Sequence, residues 1–361
     1  MKHRDRVLTA LNHEEPDRCP MQVSFTPEFA LRLCHELHLE EAILPGPYGG
    51  VNTYKLETAL DADMLLCWVV SPNAYRVEGD GFSDEWGVKW KSIQYDTRFG
   101  KGHYTEMVGH PLDDDRAIET YQAPDPTRPD QYQITSRVLS ACKAEYWIAG
   151  VAVSTIFERA WMLRGLEKLL MDFTLNPELA ERILEIPYHY NLAVAKKLVE
   201  MGVDMIWIGD DVGSQQAMLI SPDTWRKFLK PRMASFIAKL KPLNPPIRIA
   251  YHSDGTIYPI VPELIEIGVD ILNPIQPACM NPEKLKQEFG DRLCFWGSID
   301  IQQTLPFGTP EQVRNEVIKR LNTLGRHGGL ILAPTHFVQL DTPMENFRTM
   351  IDTITGTPYR R

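Results

Sequence analysis

Five positions in the sequence place polar side chains at or directly after the end of a short apolar run. They are Glu158, Asp210-Asp211, His252-Ser253-Asp254, Asp300 and His336. Where such runs form the parallel strands of a barrel, their carboxyl ends meet at one face, and residues there are available for chemistry. Imidazole and carboxylate groups that converge in this way can bind a metal ion or move a proton.

The segment His252-Ser253-Asp254 is the most informative of these positions. Residues i and i+2 of a strand point to the same side, so His252 and Asp254 project together. His336 arrives at the same rim from the last apolar run. Two imidazoles and one carboxylate are sufficient for zinc or another divalent metal, with positions left for water or substrate. The alternative for the H-x-D pair is a hydrogen-bonded His–Asp couple without metal.

The remaining polar positions have a functional and a structural interpretation each. We predict that Asp210, Glu158 and His336 are catalytic, and Asp210 or Glu158 is also a candidate fourth metal ligand. Strand alternation allows only one of Asp210 and Asp211 to face the site, while the other caps a helix. The structural alternative for Glu158 is an ion pair or a favourable charge at a helix N-terminus. The predicted substrate-binding residues are Phe25, Asp211, Asn273, Gln276, Ser298 and Asp300.

Eight short apolar, β-branched runs must position these residues. The runs are 18–25, 62–70, 146–153, 204–213, 247–255, 269–276, 293–300 and 330–337. From the third onward, each is separated from the next by a segment long enough for a helix, which indicates a parallel sheet covered on both faces. Eight such units, without a G-x-G-x-x-G after the first strand, favour a closed (β/α)8 TIM barrel. We predict one barrel domain over 1–361 with an N-terminal helical extension.

Residues 75–110 interrupt this pattern because they are rich in glycine and aromatic residues and lack helical periodicity. We predict an antiparallel β-hairpin insertion after the second strand. An insertion there lies at the catalytic face of a barrel, so one interpretation is a lid. The other is a surface hairpin with its own small cluster, Trp86 against Trp90.

The composition excludes several classes of partner. A net charge of −10 over 361 residues argues against a surface that follows the phosphates of a nucleic acid. The longest apolar runs are too short to span a bilayer, and the polar N-terminus lacks a signal-peptide core, so we expect a soluble, cytoplasmic protein without a membrane partner. The six cysteines are scattered, form no C-x-x-C pair and are expected to be reduced.

Three segments resemble the uroporphyrinogen decarboxylase superfamily: RDRVLTALNHEEPDRCP, IWIGDDVGSQQAMLISPDTWRKFLKPRM and APTHFVQLDTPMENF. The resemblance implies the same barrel. In the true decarboxylases, two arginines in the first strand and its loop grip the substrate carboxylates, whereas MQVSFTPEFALRL supplies neither and Arg32 lies too far along. Their second strand ends in an aspartate that LLCWVVSP lacks. The chain therefore looks closer to the related corrinoid methyltransferases.

Those methyltransferases hold zinc with an H-x-C pair on strand five and a cysteine at the end of strand eight. His252, Asp254 and His336 stand at the matching positions, so the resemblance implies a metal site in which harder ligands replace both thiolates. It further implies a methyltransferase for a small substrate, a corrinoid carried by a partner protein, and a homodimer. Two alternatives stay open: a metal-free decarboxylase of a tetrapyrrole or small aromatic acid, and a non-catalytic protein that binds a tetrapyrrole or corrinoid.

Overall fold

The computed structural model describes residues 1–39, 43–44, 51–69, 75–78 and 81–359. Within these residues the strands are β1 (Ile43–Leu44), β2 (Val51–Asn52), β3 (Met64–Cys67), β4 (Tyr75–Glu78), β5 (Gly81–Asp84), β6 (Lys89–Thr97), β7 (Gly100–Gly109), β8 (Trp147–Val153), β9 (Met205–Gly209), β10 (Arg248–His252), β11 (Ile271–Asn273), β12 (Cys294–Ile299) and β13 (Leu330–Pro334). The last residue of the predicted run 62–70 and residues 79–80 of the predicted insertion lie outside the described residues.

The α-helices cover the strands and connect them. They are α1 (His3–Leu11), α2 (Pro27–Glu36), α3 (Lys55–Ala59), α4 (Gln133–Cys142), α5 (Phe157–Arg164), α6 (Leu166–Leu175), α7 (Pro177–Met201), α8 (Pro222–Thr224), α9 (Lys230–Leu240), α10 (Val261–Glu266), α11 (Pro282–Phe289), α12 (Thr304–Phe307), α13 (Pro310–Thr323) and α14 (Met344–Gly356). None of the helices in the described residues is both long enough and apolar enough to cross a bilayer.

Seven strands form one parallel sheet in the order β3-β8-β9-β10-β11-β12-β13. The segment 18–25 joins its two edges, since Met21 pairs in parallel with Leu332 of β13. On the other side, the Asp63 amide donates to the Met21 carbonyl oxygen at 2.8 Å. Pro20 has no N–H to donate, so this segment is extended chain with isolated bridges and not a regular strand. The predicted TIM barrel is confirmed, with seven regular strands and one such closing segment.

The barrel interior follows the period-two alternation of its strands. The large side chains Trp147, Trp207 and Trp296 pack there against small ones such as Ala149, Ala250 and Ala333. Helix α1 adds Val7 and Leu11 to the same cluster, so the predicted N-terminal helical extension is confirmed as a plug at the amino end of the strands. A second, larger apolar cluster lies between the strands and the surrounding helices. All six cysteines are free, in agreement with the prediction.

The predicted hairpin insertion is confirmed as an antiparallel sheet in the order β4-β5-β6-β7, which follows the second barrel strand. Trp86 and Trp90, which one interpretation placed in a common cluster, pack against different rings. Trp86 packs against Tyr190 of α7 with ring centroids 4.7 Å apart. Trp90 stacks on Phe82 at 6.3 Å within the inserted sheet. The insertion is therefore joined to the barrel through Trp86.

The tip of this insertion is also fastened to the barrel. Phe99 lies between two guanidinium groups, with Arg32 4.0 Å and Arg98 4.7 Å from its ring centroid. Arg98 in addition donates a hydrogen bond of 3.3 Å to the carbonyl oxygen of Pro306. The insertion therefore contacts the rest of the protein at both of its ends, and its role as a lid stays a prediction.

Candidate metal centre

The carboxyl ends of the barrel strands surround a cavity of about 220 Å³, here called the mouth cavity. Trp207 and Trp296 belong to the buried interior cluster and line its lower part. Its polar lining residues are Gln22, Ser24, Ser154, Glu158, Asp211, His252, Asn273, Thr335 and His336. The lining within the described residues includes two carboxylates and two imidazoles but no arginine or lysine. This cavity is where the chemistry predicted from the strand ends can take place.

Three residues of this region present ligand atoms to one point. One side-chain atom each of Asp211, His252 and Asp254 lies within 4.8 Å of the other two. The His252 Nε2 atom is 3.5 Å from Asp211 Oδ1, and the Asp254 amide donates to the same oxygen at 2.7 Å. We call these residues the Asp-His-Asp cluster. It keeps the predicted pair His252 and Asp254, but its third member is Asp211.

Asp254 carries an unpaired oxygen in this cluster. Its Oδ1 atom is buried and has no hydrogen-bond partner in the described part of the chain. Burial raises the pKa of the Asp254 carboxyl; His252 and His336 oppose the rise and Asp211 adds to it. A buried carboxylate oxygen without a donor is costly unless a proton or a cation neutralises it.

The orientation of His252 is set by Asn273 from the neighbouring strand. The Asn273 amide group donates to the Trp296 carbonyl oxygen at 3.1 Å, and its Oδ1 accepts from the Trp207 indole at 3.1 Å. This arrangement directs Oδ1 toward His252, whose Nδ1 lies 2.7 Å away and must donate. In a neutral imidazole this leaves the Nε2 lone pair free to bind a metal, as in metal-binding histidines that are held through their other nitrogen.

The donor set fits a divalent cation. Two carboxylates and one imidazole, close together and with one oxygen unpaired, match the hard and borderline ligands that zinc and similar ions accept. His336 lines the same cavity. Burial lowers the pKa of its imidazole, and the nearby Asp254 carboxylate opposes that change. His336 is thus neutral near pH 7 and stands beside the Asp-His-Asp cluster.

Comparison with known proteins identifies the family. The uroporphyrinogen decarboxylase (URO-D) family model matches residues 92–356, which is well over half of the chain. The chain belongs to the uroporphyrinogen decarboxylase family. Members of this family and related methyltransferases are both found among the similar proteins, so the superfamily resemblance read from the sequence is confirmed.

Two curated relatives of this URO-D family protein illustrate that mixture. Over 175 residues, 48% of either chain, it is 29% identical to the methylcobamide:CoM methyltransferase MtaA of Methanosarcina barkeri. Over 181 residues, 49% of either chain, it is 27% identical to the uroporphyrinogen decarboxylase of Chlorobaculum tepidum. The match spans about half the length of these relatives.

A solved structure shows that the fold is shared along the whole chain. A methyltransferase from Methanosarcina mazei superposes with a TM-score of 0.74 and covers 99% of both chains at 20% identity. At that identity the likeness establishes the fold of the URO-D family protein and not its reaction. The site residues must be judged by their own geometry.

Asp210 and Glu158 occupy different environments, although both were predicted to be catalytic. Asp210 is fully buried and accepts the backbone N–H groups of Ile156 at 2.9 Å and Glu158 at 3.0 Å. It therefore holds the start of α5 and does not line the mouth cavity. Burial raises its pKa to about 6, against the opposing effect of these N–H groups. The structure supports a positioning role for Asp210 and places Asp211 in the cavity instead.

Glu158 does line the mouth cavity, beside Ser154, whose hydroxyl lies 3.2 Å from its carboxyl. Burial is the main cause that raises the pKa of Glu158 well above its usual value, and the negative charges of Asp211 and Asp210 add to it. A carboxyl group that keeps its proton to a higher pH is suited to proton transfer. The predicted catalytic position of Glu158 agrees with this environment.

The predicted substrate-binding residues separate into two groups. Asp211 and Asn273 line the mouth cavity, although their contacts give them the cluster and orienting roles described above. The other four do not line it. They are Phe25, Gln276, Ser298 and Asp300.

Local contacts explain why three of these four side chains do not line the mouth cavity. Phe25 packs against the rings of Phe29 and Phe347. The Gln276 side chain accepts the Gly255 N–H at 2.6 Å. Asp300 accepts the N–H groups of residues 302, 303 and 304, where α12 begins. These three side chains stabilise neighbouring packing and loops, and their role in substrate binding stays a prediction.

Ser298 remains without such an explanation. Its φ is +78°, its hydroxyl is buried, and that hydroxyl has no partner among the described residues. The structure gives no contact between it and the mouth cavity.

Sequence reasoning missed several cavity residues, notably Gln22, Ser24 and Trp68. Gln22 donates to the Ser24 hydroxyl at 2.8 Å and accepts from the Trp296 indole at 3.2 Å. Their i, i+2 spacing within the first apolar run was the available signal, since two polar residues on one side of a strand mark a polar surface.

Proposed function

We propose that this protein is a metal-dependent methyltransferase that acts on a small substrate in the mouth cavity. The Asp-His-Asp cluster would hold zinc or a similar divalent ion, with His336 as an adjacent ligand or contact to substrate. The observation that supports this most strongly is Asp254: its Oδ1 is buried and unpaired, and one oxygen of its carboxylate lies within 4.8 Å of an Asp211 oxygen and a His252 nitrogen. The likeness to MtaA supports methyl transfer as the reaction class.

The protein's own groups have separate tasks in this proposal. Asn273 keeps the His252 Nε2 lone pair directed at the ligand point, and Asp211 fixes the Asp254 backbone through a hydrogen bond. A bound divalent ion supplies the charge that lowers the pKa of a substrate thiol or hydroxyl. Glu158 is placed to take or return the substrate proton, since it faces the same cavity and favours its protonated form. The methyl group would come from or go to a corrinoid presented at the mouth by a partner protein.

A metal-free decarboxylase is the second candidate, because decarboxylases are also among the relatives. Its substrate class is anionic, and bidentate arginine pairing normally compensates the desolvation of carboxylates. The mouth cavity has no arginine or lysine in its described lining and carries Glu158 and Asp211. Arg32 instead contacts Phe99 and the Thr342 carbonyl oxygen. This charge distribution argues against a tetrapyrrole decarboxylase, whose substrate carries several carboxylates that need such partners.

Elemental analysis of protein purified without chelators tests the proposal. We expect about one zinc or other divalent ion per chain in the wild type, and loss of that metal in His252→Ala and Asp211→Ala. His189→Ala is the matched control, because this histidine is mostly exposed on α7 and does not line the mouth cavity. A wild type without metal after growth and reconstitution with zinc would refute the metal site.

Activity assays separate the candidate functions. The metal-loaded protein should move a methyl group between methylcobalamin and a small thiol such as mercaptoethanesulfonate, and His252→Ala should lose this activity. Steady conversion of uroporphyrinogen to coproporphyrinogen by chelator-treated protein would favour the decarboxylase. Stoichiometric cobalamin binding without either turnover, insensitive to changes at His252, would indicate a non-catalytic binding protein. Sedimentation analysis of the same samples tests the homodimer.

A further inference from the structure

A second cavity, of about 240 Å³, lies between the barrel and the inserted sheet and is here called the hairpin cavity. It shares three lining residues with the mouth cavity: Trp68, Val153 and Ser154. The two cavities are thus adjacent. A molecule in one of them can extend toward the other, along the wall that these residues form.

The shared wall has an unusual backbone. Ser154 adopts a φ of +54°, in the left-handed region that non-glycine residues rarely occupy. Its carbonyl oxygen accepts from Asn191 of α7 at 3.2 Å, and its hydroxyl lies 3.2 Å from Glu158. Backbone conformations of this kind concentrate at functional sites, where the surroundings hold them in place.

Among the described residues that line the hairpin cavity there is one guanidinium, that of Arg159, which directly follows Glu158 on α5. The Arg159 group lies over the Trp86 ring, 5.0 Å from its centroid. Its nearest carboxylate oxygen belongs to Asp84 and is 3.8 Å away, beyond hydrogen-bond distance. Among the described residues Arg159 donates no hydrogen bond, although a guanidinium has five N–H groups.

The two carboxylates that line the hairpin cavity already have partners. Asp84 accepts the backbone N–H groups of Trp86 at 3.0 Å and Val88 at 2.9 Å, and the Trp90 indole at 3.1 Å. Glu85 accepts from Arg128 at 2.5 Å. Their hydrogen-bonding capacity is used inside the protein, while that of Arg159 is not.

We propose that Arg159 binds a carboxylate of the substrate, so that the substrate class is an organic acid with an apolar or aromatic body. The carboxylate would lie in the hairpin cavity against Arg159, the body against the aromatic walls of Trp86 and Tyr190, and the reacting end in the mouth cavity. Arginine held flat over an aromatic ring presents its N–H fork to a planar anion in two parallel hydrogen bonds. The assignment of the reacting end rests on the proposed function, whereas carboxylate binding at Arg159 does not.

Binding of benzoate and of its neutral isostere benzamide tests this proposal by calorimetry on the full chain. Both metal-loaded and chelator-treated protein are titrated, since a bound metal is itself able to take a carboxylate. In either form we expect benzoate to bind the wild type at least tenfold more tightly than benzamide. Arg159→Gln should abolish this preference, and Arg159→Lys should weaken it because lysine keeps the charge but loses the fork.

Arg182→Gln is the charge-matched control, because Arg182 lies on α7 with half of its side chain exposed and should leave the benzoate preference unchanged. If Arg159→Gln does not fold, the comparison of wild type with Arg159→Lys decides. The proposal is overturned if the wild type binds the two probes equally or does not bind benzoate. It is also overturned if Arg159→Gln keeps the preference for benzoate over benzamide. A protein that binds no metal yet prefers benzoate through Arg159 would refute the proposed function and leave this inference standing.

Discussion

The two ends of the barrel treat buried carboxylates in opposite ways. At the amino end of the strands, the fully buried Asp63 accepts from Arg6 at 2.6 Å, from Arg18 at 2.7 Å and from the Met21 amide at 2.8 Å. His3 lies 2.8 Å from the same carboxylate. The chain itself thus neutralises the Asp63 carboxylate and supplies its hydrogen-bond donors.

At the carboxyl end, Glu158, Asp211 and Asp254 gather without an arginine or lysine in the described cavity lining. Burial is the main cause that raises the pKa of Glu158 and Asp254 there. At the amino end, by contrast, hydrogen bonding to Arg6 lowers the pKa of Asp17 far below its usual value. The comparison shows that one end is complete within the chain, whereas the other requires a proton or an external cation.

Removing the carboxylate at the complete end should have the largest effect. Asp63→Ala leaves Arg6 and Arg18 buried without their shared partner, and we expect the free energy of unfolding to fall by about 3–5 kcal/mol. Chemical denaturation of metal-free protein measures it. A loss below about 1 kcal/mol would mean that this network adds little to stability, and the contrast between the ends would be lost.

At the carboxyl end of the barrel, the stability of the protein should fall as the pH rises. This is the opposite of the effect of a carboxyl group whose pKa is lowered by folding, such as Asp17 at the amino end. The pKa of Asp210 is about 6 in the folded protein, above its ordinary value of 3.8. Folding therefore favours the protonated form, whose contribution to stability is complete below the unfolded pKa and is lost as pH rises through about 6. That loss amounts to roughly 2–3 kcal/mol.

The measurement compares metal-free wild type and Asp210→Asn by denaturation between pH 4 and pH 8. Relative to the variant, the wild type should lose stability as the pH rises. A difference between the two proteins that stays constant over this range would contradict the raised pKa.

Removing one unpaired charge at the mouth should weaken metal binding without a loss of stability. Asp254→Asn deletes a ligand charge, so we expect metal affinity to fall about 100-fold, which equals about 2.7 kcal/mol. In the metal-free state the same variant should be as stable as the wild type or more so, because an unpaired buried carboxylate is unfavourable. Destabilisation of the metal-free variant similar to that of Asp63→Ala would break the comparison between the two ends.

The smallest expected effect is at the residue that orients His252. Asn273→Ala frees the imidazole to rotate, and we expect a loss of metal affinity of at least about tenfold, as for other groups that hold metal ligands. Competitive titration with a zinc indicator measures it. Asn281→Ala, which removes a helix cap at the start of α11, serves as the control and should change stability but not metal affinity.

The sequence was sufficient for the barrel and for part of the site. Eight apolar runs predicted the eight barrel positions, because a strand buried on both faces needs a continuous apolar stretch. Strand alternation led to the prediction that His252 and Asp254 project together, although β10 ends at His252 and Asp254 lies just beyond it. Both predictions depend only on local geometry, which the order of residues determines.

The roles of Asp210 and Asp211 depend on which face of β9 points inward. Trp207 faces the interior, and period two carries that side through Gly209 to Asp211. Ile206 and Ile208 are equally apolar and equally buried on the other face, so the sequence does not distinguish inside from outside. For the same reason Asp210 was interpreted as the catalytic member of the pair, although it caps α5.

Gln276 and Asp300 do not line the mouth cavity, and their side chains accept backbone N–H groups of loops. A side chain that stabilises a loop and one that binds a ligand look alike at a strand end, since both are polar residues after an apolar run. Only the path of the following loop separates them. Asn273 lines the mouth cavity, but its hold on His252 depends on contacts with two tryptophans from other strands, which the sequence does not reveal.

The contact of Trp207 with the candidate centre has a practical consequence. Its indole meets the His252 ring at a centroid distance of 5.3 Å and donates to the same Asn273 oxygen that holds that histidine. We expect an ion that binds the His252 imidazole to polarise this shared oxygen and thereby to change the fluorescence emission of Trp207. If the centre binds a metal as proposed, we expect the intrinsic fluorescence of the protein to change on loading, which can be measured without a label.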